Sequence, residues 1–314
     1  MRAKTATKSK STPGPLTLTL PATSANLGPA FDAAALAFDI NFQITGKMAK
    51  EYSIRARGRD TAICKELKDN LIVATYEDVL RANGRDVYPL ALQIKNEIPI
   101  GKGCGSSAAA RLAGIALAVH FGRLPWGDAE IIAEASRLEH HPDNAAACWV
   151  GGVAVARLEG NQVQAVKISP KGKWPLLLIV PEDKLSTEKA RAVLPETYSR
   201  ADVVANIQNS MLLLTAFTEG YQGLLAAALQ DRVHQPYRAP LCPLLPALQA
   251  LTGQRGILGV ALSGAGPSVL MFLDPRVPAA ETRRCVAAFL KNKGLEAELL
   301  PTAISTRGTR RKRG

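Results

Sequence analysis

Residues 99–109 read Pro99-Ile100-Gly101-Lys102-Gly103-Cys104-Gly105-Ser106-Ser107-Ala108-Ala109, with glycine at every second place from 101 to 105. Glycine lets backbone come close to a ligand, because no Cβ stands in the way. A helix that starts at Ser106 presents unpaired N–H groups and the positive end of its dipole to an anion. Ser106 and Ser107 can cap that helix, and a hydroxyl there can also ligate Mg²⁺. The anion that suits this arrangement is a nucleotide phosphate, so the chemistry indicated is phosphoryl transfer. Two common phosphate fingerprints are excluded. Lys102 precedes the last two glycines, unlike the lysine of G-x-x-x-x-G-K-[ST], and alternating glycines do not fit G-x-G-x-x-G. The plainer reading of the same residues is a flexible turn with a small-residue helix packed behind it.

The elements around the loop favour the phosphate reading. Leu90, Leu92 and Ile94 alternate with Ala91, Gln93 and Lys95, which predicts a strand. Ala108, Leu112, Ile115, Ala116 and Val119 share one face of a helix over 106–120. Earlier, Leu16, Leu18 and Leu20 alternate with threonines in a strand, 23–28 reads as a turn, and 33–44 as a second strand region. Helices are predicted over 70–82 and over 128–140, with Asp128 as N-cap, and His141-Pro142 breaks the latter. Alternation returns at 151–158. After a boundary near 165 the pattern resets: a strand at 176–180, a helix at 187–193, a long helix at 203–229, strands at 257–262 and 269–273, a helix near 278–292 and a strand near 295–300.

The chain has 314 residues, enough for two domains, and 47% of them are hydrophobic. No apolar run reaches the ~18 residues of a spanning helix, and no signal-peptide arrangement is present. The five cysteines (64, 104, 148, 242 and 285) form no CxxC pair, as expected of reduced thiols in a cytoplasm. The net charge of +12 invites a nucleic-acid reading, but nine of the cations lie in residues 1–14 and 307–314, which hold no acid, and the rest of the chain carries about +3. Both segments read as disordered, solubilising tails, and no aromatic-interleaved basic patch accompanies them. No specific nucleic-acid partner and no membrane partner are therefore expected.

Three further segments join the loop. They are Pro21-Ala22-Thr23-Ser24-Ala25-Asn26-Leu27-Gly28-Pro29-Ala30-Phe31-Asp32, His141-Pro142-Asp143-Asn144 followed by Gly151-Gly152, and Ser263-Gly264-Ala265-Gly266-Pro267-Ser268. In this order, from about residue 15 to 306, the four resemble the signature segments of the GHMP small-molecule kinases. The forms at 21–32 and 141–144 resemble the homoserine kinase branch in particular. The resemblance implies an α+β fold of two domains: an ATP-binding part at 15–165, like domain 2 of a ribosomal S5 protein, and a ferredoxin-like part at 166–306.

It also implies roles. The loop from Pro99 to Ala109 would hold the triphosphate of ATP by backbone groups. Ser107 would ligate Mg²⁺ with a carboxylate from the following helix, Glu139 first and Glu134 or Glu130 as rivals. The acceptor would be a small hydroxy amino acid, homoserine. Arg191, in the segment opened by Thr187, and Arg238 would bind its carboxylate, and Asp143 its ammonium. Asn26 and Asp32 would orient its hydroxyl, with His141 and Gly264 in the same pocket. Asp32 is the only acid placed near the hydroxyl, as base or as orienting acceptor. A homodimer is common in the family. Where the chain departs from the family pattern, Ala30 replaces a glycine, the segment after Asp32 lacks one, Cys104 stands where leucine is common, and His140 replaces glycine. The alternatives are a related kinase of mevalonate, a sugar or an isoprenoid precursor, and a basic RNA-associated protein.

Overall fold

The computed structural model describes residues 13–314. The expectation of a disordered tail over 1–14 falls almost wholly outside them. In the first domain a long hairpin of β1 (Leu16–Asn26) and β2 (Ala30–Met48) is extended by β4 (Leu90–Asn96), antiparallel to β2, and by β3 (Ser53–Gly58), parallel to β4. β5 (Val153–Glu159) pairs with β2 beyond its bend, and β6 (Gln162–Ile168) pairs with β5. The short α1 (Thr61–Cys64) and the longer α2 (Leu71–Ala82), α3 (Ser106–Phe121), α4 (Asp128–Glu139) and α5 (Asp143–Val150) complete the domain. Alternation decides which strand faces meet the helices: Leu16, Leu18, Phe42, Ile44, Leu92 and Ile94 are buried, while Gln43, Lys47, Gln93 and Lys95 are exposed.

The second domain contains β7 (Pro175–Val180), α6 (Thr187–Ala192), α7 (Arg200–Glu219), α8 (Leu225–Ala228), α9 (Gln235–Arg238), α10 (Leu244–Gln249), β8 (Ile257–Leu262), β9 (Val269–Leu273), α11 (Ala279–Lys293) and β10 (Glu298–Ala303). Its antiparallel sheet runs β10-β7-β9-β8, the ferredoxin-like order. β7 reads Pro-Leu-Leu-Leu-Ile-Val without polar alternation because both of its faces are covered. Leu176, Leu178 and Val180 join the core shared with the first domain, and Leu177 and Ile179 a second core with Leu245, Leu248, Val286 and Leu290. Truncating such a leucine to alanine costs about 2–5 kcal/mol. The shared core ties the two domains together on either side of the cleft. Among the described residues no helix is long and apolar enough to cross a membrane.

Three expectations are corrected. Residues 307–314 are not a free tail: β11 (Arg310–Arg313) pairs antiparallel with β1, Leu16 opposite Arg313, and Gly314 N–H donates to the Pro15 carbonyl. A run of cations says nothing against strand pairing, which uses only the backbone. The helix expected over 203–229 ends at Gly220, whose φ of 77° closes α7 in the left-handed conformation. Asp128 is the first residue of α4, not its cap; Glu130 caps the helix by accepting the Gly127 N–H at 2.8 Å. The boundary expected near 165 falls inside β6.

Candidate active site

The glycine loop joins β4 to α3, and the rest of the fold clamps it. The Thr23 N–H donates to the Cys104 carbonyl at 3.1 Å, Ser263 Oγ to the Gly103 carbonyl at 2.8 Å, and the Ser268 N–H to the Lys102 carbonyl at 3.3 Å. Two glycines are obligatory here. Gly103 and Gly105 have φ of 74° and 70°, and a Cβ on them would overlap the Ser263 carbonyl and Thr23 Oγ1. Gly105 thus stands at the start of α3 without a side-chain cap, and the first N–H groups of α3 open toward the cleft. Because Leu112, Ala113 and Ile115 are fully buried, that helix end cannot swing away.

Two neighbouring cavities meet at this loop. Gly101, Gly103, Cys104, Gly105, Ser106 and Ser107 line a polar cleft, whereas Ile100, Gly101, Ser106, Ser107 and Ala109 line an apolar groove of about 670 Å³. Pro99, Lys102 and Ala108 line neither. Ala108 is packed in the core, and the Lys102 ammonium donates to the carbonyls of Pro181, Glu182 and Asp183, tying the loop to the second domain. Burial lowers its pKa. In this arrangement Lys102 is a strut between the loop and the second domain. The Cys104 thiol is buried against the Lys102 carbonyl and Ser268 Oγ, and burial pushes it up to about 12, so it stays protonated and unreactive.

The structure separates the three glutamates of α4. Glu130 caps its own helix, and Glu134 pairs with Arg137 at 2.8 Å. Only Glu139 reaches the loop: Ser107 Oγ donates to Glu139 Oε1 at 2.7 Å, and Arg111 Nε to the same oxygen at 2.6 Å. A hydroxyl and a carboxylate are hard oxygen donors of the kind Mg²⁺ takes. A second group, Asp32, His141 and Asp143, brings three ligand atoms within 4.8 Å of one another. It fits Mg²⁺ less well, because one donor is an imidazole whose Nδ1 already meets Asp143 Oδ1 at 2.7 Å.

Asn26, Asp32, His141, Asp143, Thr187, Arg191, Arg238 and Gly264 all line the polar cleft. Asn26 has φ of 71° and Asp32 φ of 53°, left-handed backbone that is strained for these residues. Asn26 holds it in place: its Nδ2 donates to the Gly264 carbonyl at 2.9 Å, and its Oδ1 accepts the Asp32 N–H at 3.0 Å. Arg191 grips both oxygens of Asp32, at 2.7 and 2.9 Å. Arg238 is 1% exposed and has no carboxylate within ion-pair distance among the described residues. It is held by the Ala190 carbonyl, His234 and the Gly264 carbonyl. Burial lowers its pKa, and Arg191 adds to the effect. A buried cation without a counter-ion is costly unless a ligand supplies the anion.

Sequence reasoning missed the groove walls, Ile63, Ile72, Ile94 and Ile98 among them, since apolar residues there look like any core. It also missed Thr23, whose Oγ1 donates to Asn144 Oδ1 at 2.6 Å, and His234, four residues before Arg238 on one helical face. That spacing was the available signal.

The GHMP kinases N terminal domain matches residues 70–152 and the GHMP kinases C terminal domain residues 213–292. The chain belongs to the GHMP kinase family. Within it, the chain is 44% identical over 258 residues to a homoserine kinase of Solibacter usitatus, covering 82% of this chain and 84% of that one. It is 35% identical to a homoserine kinase of Deinococcus radiodurans, covering 94% and 96%. A crystal structure of a homoserine kinase from Cytophaga hutchinsonii shares the fold, with a TM-score of 0.80, 21% identity, and coverage of 96% and 99%.

Proposed function

We propose that the protein transfers the γ-phosphoryl group of ATP to the hydroxyl of L-homoserine, forming O-phospho-L-homoserine for threonine biosynthesis. The observation that carries the acceptor is Arg238, a buried guanidinium with no carboxylate within ion-pair distance among the described residues, in the same cleft as the buried carboxylate of Asp143. One cation and one anion suit an α-amino acid head, which mevalonate and sugars lack. The 35–44% identity to homoserine kinases over most of the chain supports the same substrate.

In this reading the base of ATP lies in the apolar groove and its phosphates lie along residues 101–107, where backbone N–H groups and the dipole of α3 neutralise charge. Mg²⁺, when bound through Ser107 and Glu139, supplies charge neutralisation of the phosphates. The acceptor lies against Arg238, Arg191 and Asp143, with its hydroxyl toward Asn26 and Asp32. Transfer then depends on positioning and charge stabilisation. Arg191 takes both oxygens of Asp32, which favours an orienting role for that carboxylate over general-base work. The proton leaves to the phosphate or to solvent, since a largely dissociative transition state needs no prior deprotonation of the nucleophile. A cytoplasmic homodimer completes the reading, and sedimentation tests the dimer.

A coupled ADP-release assay with homoserine, galactose and mevalonate tests the assignment. Turnover of homoserine alone is expected. Turnover of only a substrate without an amino acid head would sink it.

A further inference from the structure

The Arg238 guanidinium makes three defined contacts. Nε donates to the Ala190 carbonyl at 2.9 Å, and Nη1 points to His234 Nδ1 at 3.2 Å and to the Gly264 carbonyl at 3.4 Å. Nη2 has no protein acceptor among the described residues. A guanidinium only donates, so His234 Nδ1 must present a lone pair. The other ring nitrogen, Nε2, donates to the Gly28 carbonyl at 2.8 Å. The imidazole is therefore neutral and fixed in one tautomer, with no exposed surface. Burial, with Arg238 adding to it and Asp231 opposing, holds the ring at about 4, well below the usual histidine range.

The surroundings leave the ring no freedom. The Asp231 carboxylate accepts the N–H groups of Val233, His234 and Gln235 and so builds the first turn of α9. The Phe31 ring stacks on His234 at 5.3 Å between centroids, and the Arg191 and Arg238 guanidinium carbons lie 5.3 and 5.2 Å from its centroid. Phe31 sits one residue before Asp32, and Gly28 two residues after Asn26.

We infer that His234 is a positioning residue for the acceptor's carboxylate: by accepting from Arg238 Nη1 and donating to Gly28, it fixes the guanidinium against the segment that carries Asn26 and Asp32 and leaves Nη2 for the ligand. The inference rests on the reading that Arg238 meets a carboxylate. It assigns His234 an effect on acceptor binding through Arg238, with no contact to the reacting atoms.

Three substitutions separate the two hydrogen bonds. His234→Asn keeps an acceptor near the place of Nδ1, His234→Gln keeps a donor toward Gly28, and His234→Phe keeps the stacking and removes both. KM and kcat are measured for homoserine, for ATP and for the amino alcohol that lacks the carboxylate. His234→Gln and His234→Phe are expected to raise the homoserine KM about 10- to 100-fold, the worth of a hydrogen bond to a charged group. Their kcat, ATP KM and amino-alcohol KM stay within about threefold of the parent, and His234→Asn restores most of the homoserine KM. In an Arg238→Met background, His234→Phe adds nothing to the homoserine KM. Equal losses for homoserine, ATP and the amino alcohol would mark a general structural role and overturn the inference. An unchanged homoserine KM in a folded His234→Gln protein, with Arg238→Met still raising it, overturns the inference and leaves the reading of Arg238 standing. An unchanged KM in Arg238→Met removes both. Thermal unfolding is recorded for each variant, and if His234→Phe does not fold, the Asn and Gln pair decides.

Discussion

Arg191 and Asp32 face each other across the domain junction in a two-pronged ion pair, with nitrogen–oxygen distances of 2.7 and 2.9 Å. Both side chains are about one third exposed, at 36% and 31%, so the pair adds little to stability. Its weight is chemical. It links α6 of the second domain to the strained turn of the first, and it occupies the only acid expected beside the acceptor hydroxyl.

Asp32→Asn keeps the shape and one acceptor oxygen but removes the charge. If Asp32 orients the hydroxyl, kcat falls by no more than about tenfold. Single-turnover measurement checks this, and a loss of roughly 10³-fold would make Asp32 a general base.

Arg238→Met removes a buried cation that has no carboxylate within ion-pair distance among the described residues. The homoserine KM is expected to rise about 100-fold, as for a lost charge-assisted contact, while the KM for ATP stays near its parent value. Arg238→Lys should rescue little, because a point charge cannot reproduce the planar set of donors. Steady-state kinetics with each substrate varied in turn tests both.

Of the α4 carboxylates only Glu139 touches Ser107. Glu139→Gln is expected to raise the Mg²⁺ concentration needed for half-maximal activity by about tenfold or more, and Glu134→Gln to leave it unchanged. Glu130→Ala should instead lower stability by about 0.5–1 kcal/mol through loss of the bond that accepts the Gly127 N–H, read by denaturant unfolding. Equal Mg²⁺ dependence in all three variants would remove Glu139 as a ligand.

His141 gives a pH dependence with a definite sign. Burial opposes its charge, but the Asp143 carboxylate at 2.7 Å outweighs burial, Asp32 and Glu139 add to it, and the pKa is raised above 6.5. A raised folded-state value means that the pair's stabilisation is fully present below pH 6.5 and lost as pH rises through the raised value. Unfolding free energies across that window should fall in the parent and stay flatter in His141→Gln. Equal slopes would show that the ring does not carry the charge.

Much of the site was legible because backbone geometry left marks in residue type. Gly103 and Gly105 stand where a Cβ would collide, and the Asn26 and Asp32 positions show a polar, turn-like segment inside a strand run. The place of Lys102 before the last two glycines sets it apart from a Walker lysine, but its grip on three carbonyls near residue 182 is a long-range contact that no local pattern encodes. The groove stayed hidden because Ile63 and Ile98, which line it, are residues of the kind that fill any core. The end of α7 was missed because the apolar helical pattern runs on past Gly220, and only the left-handed backbone at that glycine stops the helix. β11 was missed because pairing depends on an available edge, and edges exist only in three dimensions.

That edge has a consequence for how the protein behaves in a crowd. The outer side of β1 would otherwise offer a bare row of N–H and C=O groups, on which a strand from another chain could add and nucleate aggregates. β11 occupies the row and lines it with four exposed cations, Arg310, Arg311, Lys312 and Arg313, of which Arg311 pairs with Asp128 at 2.7 Å. Copies that meet edge to edge repel one another, and the repulsion weakens as salt shortens the Debye length. Removing residues 309–314 should therefore give a protein whose light scattering grows with concentration, while the parent stays clear except at high ionic strength.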